Sequence, residues 1–385
     1  MLSNIYKKEM KDSFRDRRTL FLTVLLPIVM MTGLVLFYES MASDGSDATF
    51  KLAINDTISS SEEALFAGNE NIELVKSADP EATLSEGDAQ AAIILSTNFM
   101  ETVQQGEEAK VTLIGDSFSQ KSSQLMSLVT NALENYKLSI VSERLKGEGI
   151  SENLVHPFEV EQQELTEEND GVQLIALLIP MILALAIGIG AGPSASDLFA
   201  GEKEKKTMEA LLMTPVNRLT LLFAKWMTIA SIGAITGIIT MVVVALEIMF
   251  FTENLKAAVS FGENMYWILG AAIFISIVYA MFIAALLMIT SLMGKTIKES
   301  QSYSTPVMMI AMFPAMLMSG IGVNEMTFQH FFIPIMNIFS ILKELSFGVV
   351  NFPHLGIVIG SNLLFMVIAF VIGRIMFMKD KWVMN

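Results

Sequence analysis

Six stretches of this chain carry no Asp, Glu, Lys or Arg: Leu20–Tyr38, Gly171–Ser196, Trp226–Leu246, Asn264–Gly294, Ser300–Asn324 and Leu345–Gly373. A helix rises about 1.5 Å per residue and a bilayer core is about 30 Å thick, so about 20 apolar residues suffice to cross it. One charge at the centre of such a helix would cost about 2.5–3.5 kcal/mol. Charged residues make up only 17% of the 385 residues, against roughly 25% for a soluble chain. The expected fold is therefore an α-helical polytopic membrane protein with six transmembrane helices. The competing arrangement, six buried core helices of a soluble fold, would need a chain with almost no amphipathic helices.

The remaining charge is segregated. Residues 39–171 hold 26 acids against 7 bases, a balance of −19, whereas the whole chain stands at −15 and the rest of it at +4. Lys7, Lys8, Lys11, Arg15, Arg17 and Arg18 precede the first uncharged run, and the positive-inside rule puts that end in the cytoplasm. Six crossings then place the basic loop 193–218, Lys295 and Lys298, and the tail with Lys379 and Lys381 on the same side. The acidic region 39–170, the 252–263 loop and the 325–344 loop fall outside. The expected location is a bacterial plasma membrane with both termini cytoplasmic. There is no cysteine, which excludes disulfides, zinc–thiolate sites and a lipoprotein anchor.

Residues 1–18 read as an amphipathic helix at the cytoplasmic interface. Leu2, Tyr6, Met10 and Phe14 share one side; Lys7, Lys8, Lys11, Arg15 and Arg18 face anionic lipid or a partner on the other. The first span is expected over 19–38 and the remaining five within 171–385. Between them, 39–170 reads as an inserted extracytoplasmic α/β domain. Phe50–Asn55, Ile72–Val75 and Lys110–Ile114 alternate at period two, and Ala91–Leu95 is a short apolar run. Ser60–Ala67, Asn98–Gln105 and Gln120–Lys146 read as helices, the last stopped by Gly147 and Gly149. Glu159–Asp170 reads as a solvated acidic linker, and Asn55-Asp56-Thr57 matches a three-residue glycosylation sequon.

Gly294-Lys295-Thr296 ends like a phosphate-binding loop, but Ile289 stands where that loop needs a glycine, and the triplet follows an apolar span. Uphill work must then draw on a partner or an ion gradient. The second loop carries the sharpest pattern, Gly201-Glu-Lys-Glu-Lys-Lys-Thr-Met-Glu-Ala-Leu-Leu-Met-Thr-Pro-Val216. As one helix, within about 197–215, it would pair Glu202 with Lys206 and Lys205 with Glu209 at i,i+4, gather Met208, Leu211 and Leu212 on another face, and stop at Thr214-Pro215. From the residues alone, a solvated connector is an equal reading.

This string resembles the intracellular coupling segment of type-2 ATP-binding-cassette exporter permeases, and the resemblance extends over the whole chain. Ile333–Gly348 looks like that family's outer-leaflet segment between the last two spans. Within the class the chain is most similar to the sodium-extrusion branch. The resemblance implies a half-transporter: two copies pair, and each docks on a separate cytoplasmic ATPase chain that holds ATP and Mg²⁺. It implies that Glu202, Glu204, Thr207, Glu209 and Leu211 couple to that ATPase, that this chain is no enzyme itself, and that Na⁺ is the cargo. No nucleic-acid partner is expected.

A transport path is harder to read. Glu247 is the one acid deep in an apolar stretch, yet it lies about 42 Å along its helix from Leu219, at the outer interface, where an exposed or snorkelling acid is the plainer reading. Lys225 reads as its counterpart at the inner interface. Asn337, Ser340, Ser361 and Asn362 are polar groups that serve either helix–helix hydrogen bonds or a path. Gly188, Gly190, Gly192, Gly233 and Gly237 mark close helix packing or the dimer seam. Pro27, Pro180, Pro306 and Pro314 lie inside spans and free backbone carbonyls. His156, His330 and His354 have no ligand spacing, and no metal set is assigned. Two other functions stay open: the same fold exporting an amphipathic drug, peptide or lipid, which Met- and Phe-rich spans suit, and a membrane-anchored sensor or scaffold with a ligand-binding outer domain.

Overall fold

A computed structural model of the chain describes residues 1–15, 17–46, 49–67, 71–116, 119–148, 170–253, 255–256 and 265–383. The acidic stretch from Glu159 to Asn169, His156 and most of the 252–263 loop lie outside them. The chain divides into two compact units, Met1–Met41 with Glu167–Asn385, and Ala42–Thr166.

Helices α1 (Leu2–Arg15) and α2 (Arg17–Ser46) open the chain. The smaller unit then alternates β1 (Phe50–Asn55), α3 (Ser60–Ala67), β2 (Ile72–Ser77), α4 (Pro80–Glu86), β3 (Ala91–Leu95), α5 (Phe99–Gln105), β4 (Val111–Gly115) and α6 (Gln120–Gly147). The strands form one sheet in the order β2-β1-β3-β4, with β1 parallel to both β2 and β3 and β4 antiparallel to β3. Period-two alternation explains the two faces. Leu52, Ile54 and Ile93 pack with Phe66, Leu125 and Val129 on one side, while Ala53, Ala89 and Ala92 meet Leu84 and Ile114 on the other. Sequence reading passed over α4, although its signals were present: Asp79 caps it by accepting from the Ala82 N–H at 3.1 Å, Pro80 occupies its first turn, and Gly87 closes it at φ 86°, where any other residue would be strained.

The larger unit holds α7 (Asp170–Ser196), a π-helical turn over Asp197–Gly201, the short α8 (Glu202–Glu204) and α9 (Thr207–Leu212), and α10 (Arg218–Phe251). It continues with α11 (Met265–Met293), α12 (Ile297–Met318), α13 (Phe328–Phe332), α14 (Met336–Ser346) and α15 (Phe352–Met378). Among the described residues five helices are long and apolar enough to cross a membrane, Phe21–Ser40, Ile175–Glu204, Arg218–Phe251, Trp267–Met293 and Phe352–Met378. The sixth expected span is α12. Its first turns, Lys298-Glu-Ser-Gln-Ser-Tyr-Ser-Thr305, are polar, and only the part beyond Pro306 is a continuous apolar run. That part exposes Met309, Ile310, Phe313 and Met316, as a lipid-facing helix does.

Glycines set the closest approach inside this unit. A Cβ on Gly190 would stand 2.4 Å from Thr236 Oγ1, and one on Gly237 would stand 2.7 Å from Ile187, so α7 and α10 meet almost backbone to backbone. Gly233 faces Ala191, while Gly188 and Gly192 face Met308 of α12. These small residues serve close packing within the chain. The 325–344 region, which includes most of the Ile333–Gly348 segment singled out above, holds α13 and most of α14, and in α14 Ile338, Phe339, Ile341, Leu342 and Leu345 are buried. Ile335 turns the chain between them at φ 74°.

Candidate functional site

The 201–216 segment is not the single helix its spacing predicts. It breaks at Lys206, which adopts a left-handed φ of 55°. The physical reason lies in three consecutive side chains that bond to three other helices. Glu202 Oε1 lies 2.7 Å from Lys225 Nζ of α10. Lys203 Nζ donates to the carbonyls of Leu292 at 2.6 Å and Gly294 at 2.9 Å, at the carboxyl end of α11. Glu204 Oε2 accepts from the Ile297 N–H at 2.9 Å, at the amino end of α12. A cation on a helix carboxyl end and an anion on an amino end both complement the backbone dipoles. The expected pairs are therefore replaced: Glu202 takes Lys225 rather than Lys206, and Lys205 bonds Asp197 at 2.8 Å rather than Glu209. Gly294-Lys295-Thr296 serves as the α11–α12 turn, with Thr296 capping α12 through the Glu299 N–H at 3.2 Å.

Lys225 does not snorkel. It is fully buried, donates to Leu198 O at 2.9 Å, and lies 3.6 Å from Glu9 Oε1 and 5.7 Å from the Phe199 ring. Glu9 is the buried acid of α1, which no sequence reading singled out. The same helix is tied to α10 by Tyr6 Oη and Ser231 Oγ at 2.9 Å. Lys7, Lys8, Lys11 and Arg15 stay exposed, with Lys8 beside Glu9 and Asp12. Leu2, Tyr6 and Met10 are half-buried, while Phe14 is exposed.

Beyond the break, Thr207 donates its hydroxyl to Glu202 O at 3.2 Å, Met208 is buried, Leu211 is half-buried against the core, and Glu209 faces solvent. The Thr214 hydroxyl closes α9 on Leu211 O at 2.6 Å. Met213 is 88% exposed, an apolar side chain standing in the open at the tip of the loop.

A second polar constellation lies where α13, α14 and α15 meet. Asn337, Ser340 and Glu344 are spaced i, i+3 and i+7 on α14, and so share one of its faces; all three are buried. Ser340 donates to His330 O at 3.0 Å, and Glu344 Oε1 bonds His354 Nδ1 at 2.7 Å. Burial pushes the Glu344 carboxyl above its ordinary range. The His354 ring stacks on Phe331 with centroids 4.0 Å apart. Ser361 of α15 donates to Phe332 O, and beside it Asn362 donates to Val358 O at 2.9 Å. Four atoms here are buried without a partner: both amide atoms of Asn337, Glu344 Oε2 and Asn362 Oδ1.

Of the four residues singled out for a path, Asn337, Ser340 and Asn362 thus come to one junction and Glu247 does not. Glu247 accepts from the Thr32 hydroxyl of α2, is half-buried rather than exposed, and keeps its other oxygen buried without a partner. Glu344 and His354 were missed as a pair. The visible signal was an acid and a histidine flanking Phe347-Gly348, a break that lets two helices fold against each other.

The architecture is that of a membrane permease whose 202–212 segment is bonded to three of its long helices. The family of ABC-2 family transporter proteins matches residues 3–382, and the chain belongs to it. It is a cell-membrane permease of the ABC-2 type, a class that works with a cytoplasmic ATPase subunit carried on a separate chain. The chain is similar to the ABC transporter permease protein NatB of Bacillus subtilis (strain 168), with 37% identity over 385 residues and all of both chains covered.

Proposed function

We propose that this chain is the membrane half of an ATP-driven exporter whose cargo is Na⁺. It works as a pair of copies, each docked on one ATPase subunit through α9. In this reading it crosses the bilayer six times, α12 included, with both termini cytoplasmic, 39–170 outside and α1 lying in the inner interface.

The observation that carries the reading is the three-way grip of Glu202, Lys203 and Glu204 above an exposed α9. A load applied at Glu209 and Met213 passes directly to α10, α11 and α12, because each is held by a different residue of the same short turn. Sodium as cargo is supported by the likeness to NatB. A solvated connector would have no reason to bury Lys203 against two carbonyls.

Co-purification with the ATPase subunit tests the docking. Glu209→Lys is expected to abolish the complex while the permease itself still folds; an intact complex removes α9 from the interface. Na⁺-stimulated ATP hydrolysis by the reconstituted complex tests the cargo. A flat response to Na⁺ together with stimulation by an amphiphile assigns the cargo to the amphipathic class instead.

A further inference from the structure

We propose that the exposed face around Arg374, where α15 meets α10, binds the phosphate of an anionic phospholipid. The inference goes beyond the exporter reading above and stands whatever the cargo.

The first argument is ion-pair accounting. The five helices long and apolar enough to cross a membrane carry Lys203, Arg218, Lys225 and Arg374 as their Lys and Arg residues. Lys203 donates to two carbonyls, Arg218 pairs with Asp380 at 3.1 Å, and Lys225 pairs with Glu202. Arg374 is exposed and has no partner among the described residues. A guanidinium keeps its charge and offers five N–H donors. Left without a protein acceptor, it must find one in the surroundings.

The second argument is what those surroundings are. Val371, Ile372, Ile375 and Met378, the neighbours of Arg374 along α15, are all exposed and apolar. Such a face meets lipid, not a soluble partner. Arg374 stands four residues from the end of α15 at Met378, about 6 Å at the helical rise. That is within reach of the head-group layer for a long side chain that snorkels.

The third argument is the shape of the contact with α10. Four residues before Arg374, Phe370 meets Phe223 with ring centroids 5.9 Å apart and Trp226 at 5.6 Å. Six residues after it, Asp380 holds Arg218. The two helices are thus tied on either side of Arg374 and run in opposite directions. Leu219 and Arg374 each stand one turn from the Phe223–Phe370 contact, toward the Arg218–Asp380 tie. Leu219 and Phe223 are exposed, and they offer an acyl chain an apolar bed beside the guanidinium. Arg grips phosphate by two parallel N–H donors, which Lys does not.

The fourth argument is charge. Beyond Arg374 the chain adds Lys379 and Lys381, both exposed, against Asp380, which Arg218 already neutralises. The surplus favours an anionic head group over a zwitterionic one.

The test is thermal melting of the purified full-length permease in detergent, titrated with phosphatidylglycerol or with phosphatidylcholine. Phosphatidylglycerol is expected to raise the melting temperature at the lower concentration, by linkage to the folded state. Arg374→Gln should need about tenfold more of it for the same rise. Lys298→Gln removes the same charge from another exposed position and should leave the titration unchanged. An equal response to the two lipids, a wild-type titration by Arg374→Gln, or equal losses in both variants overturns the proposal. Glycerol phosphate carries the head group without the chains and should have no effect; a rise equal to that with lipid discards lipid as the occupant. Should Arg374→Gln fail to fold, Arg374→Lys decides: it keeps the charge without the planar fork, and an unchanged affinity for phosphatidylglycerol overturns the site.

Discussion

The joint around Lys203 and Lys225 and the seam where α13, α14 and α15 meet both bury polar groups inside the same helical unit, but they treat them in opposite ways. At the joint, Lys225 meets two carboxylates and a carbonyl, and Lys203 meets two carbonyls; only Glu202 Oε2 is left over. At the seam, Asn337 is wholly unmatched, and Glu344 and Asn362 each keep a free oxygen. Burial makes a matched charge rigid and an unmatched one costly. The matched joint is the stiffer of the two, and the seam carries the larger unrecovered burial cost.

The sharpest way to break this contrast is to strip the joint of its central cation. Lys225→Met leaves Glu9 and Glu202 buried without it, and removing one partner of a buried pair costs about 3–5 kcal/mol. The variant is expected to melt far below wild type or fail to accumulate, with Lys225→Arg recovering most of the loss. A mild effect would mean that water already reaches the cluster.

Next in size is Lys203→Met. Hydrogen bonds from a charged group contribute about 1.5–3 kcal/mol each, so the α11 terminus should loosen measurably in hydrogen exchange around Leu292–Gly294. In the permease core, Gly190→Ala drives a Cβ into Thr236 and should cost about 1–3 kcal/mol, whereas Gly356→Ala, with nothing within 4 Å, should be neutral or stabilising in the same melt.

At the seam the expected sign reverses. Asn337→Leu should melt at or slightly above wild type, since it removes two unsatisfied groups. A large loss would show that the amide is matched after all and would erase the contrast.

The smallest effect concerns the α/β unit. Burial of Glu62 works to raise its carboxyl, but the Ser59 N–H and hydroxyl and the Met100 N–H outweigh it and hold the group below its ordinary range. A lowered folded value means a contribution present above the unfolded value and lost as pH falls through the folded one. Hydrogen-exchange protection over β1 and α3, taken relative to the intrinsic rate at each pH, should therefore fall only as pH drops below about 4.5, and Glu62→Gln should remove that dependence.

Much of the fold was legible because it depends on sums over neighbouring residues. Runs without charge marked the spanning helices, and period-two alternation marked β1, β2 and β4 within a residue or two. What failed were readings that assumed a local partner. Lys206 was expected to continue a helix stabilised by i,i+4 pairs, and Lys225 to reach toward water. Both were overruled by partners that no local window contains: Glu202 holds Lys225, and the bond of Lys203 to Leu292 fixes the turn that breaks the helix at Lys206. Nothing near Lys343 and Glu344 in sequence marks them as buried; their bonds to Met318 and His354 do that.

Apolar length, charge segregation and strand alternation are properties of the chain as written, and they set the class of fold before any contact forms. Which charges are joined and which oxygens are left waiting was decided only by tertiary structure. A hydrogen bond needs two groups within about 3 Å, and here the groups come from helices that meet only once the bundle has closed.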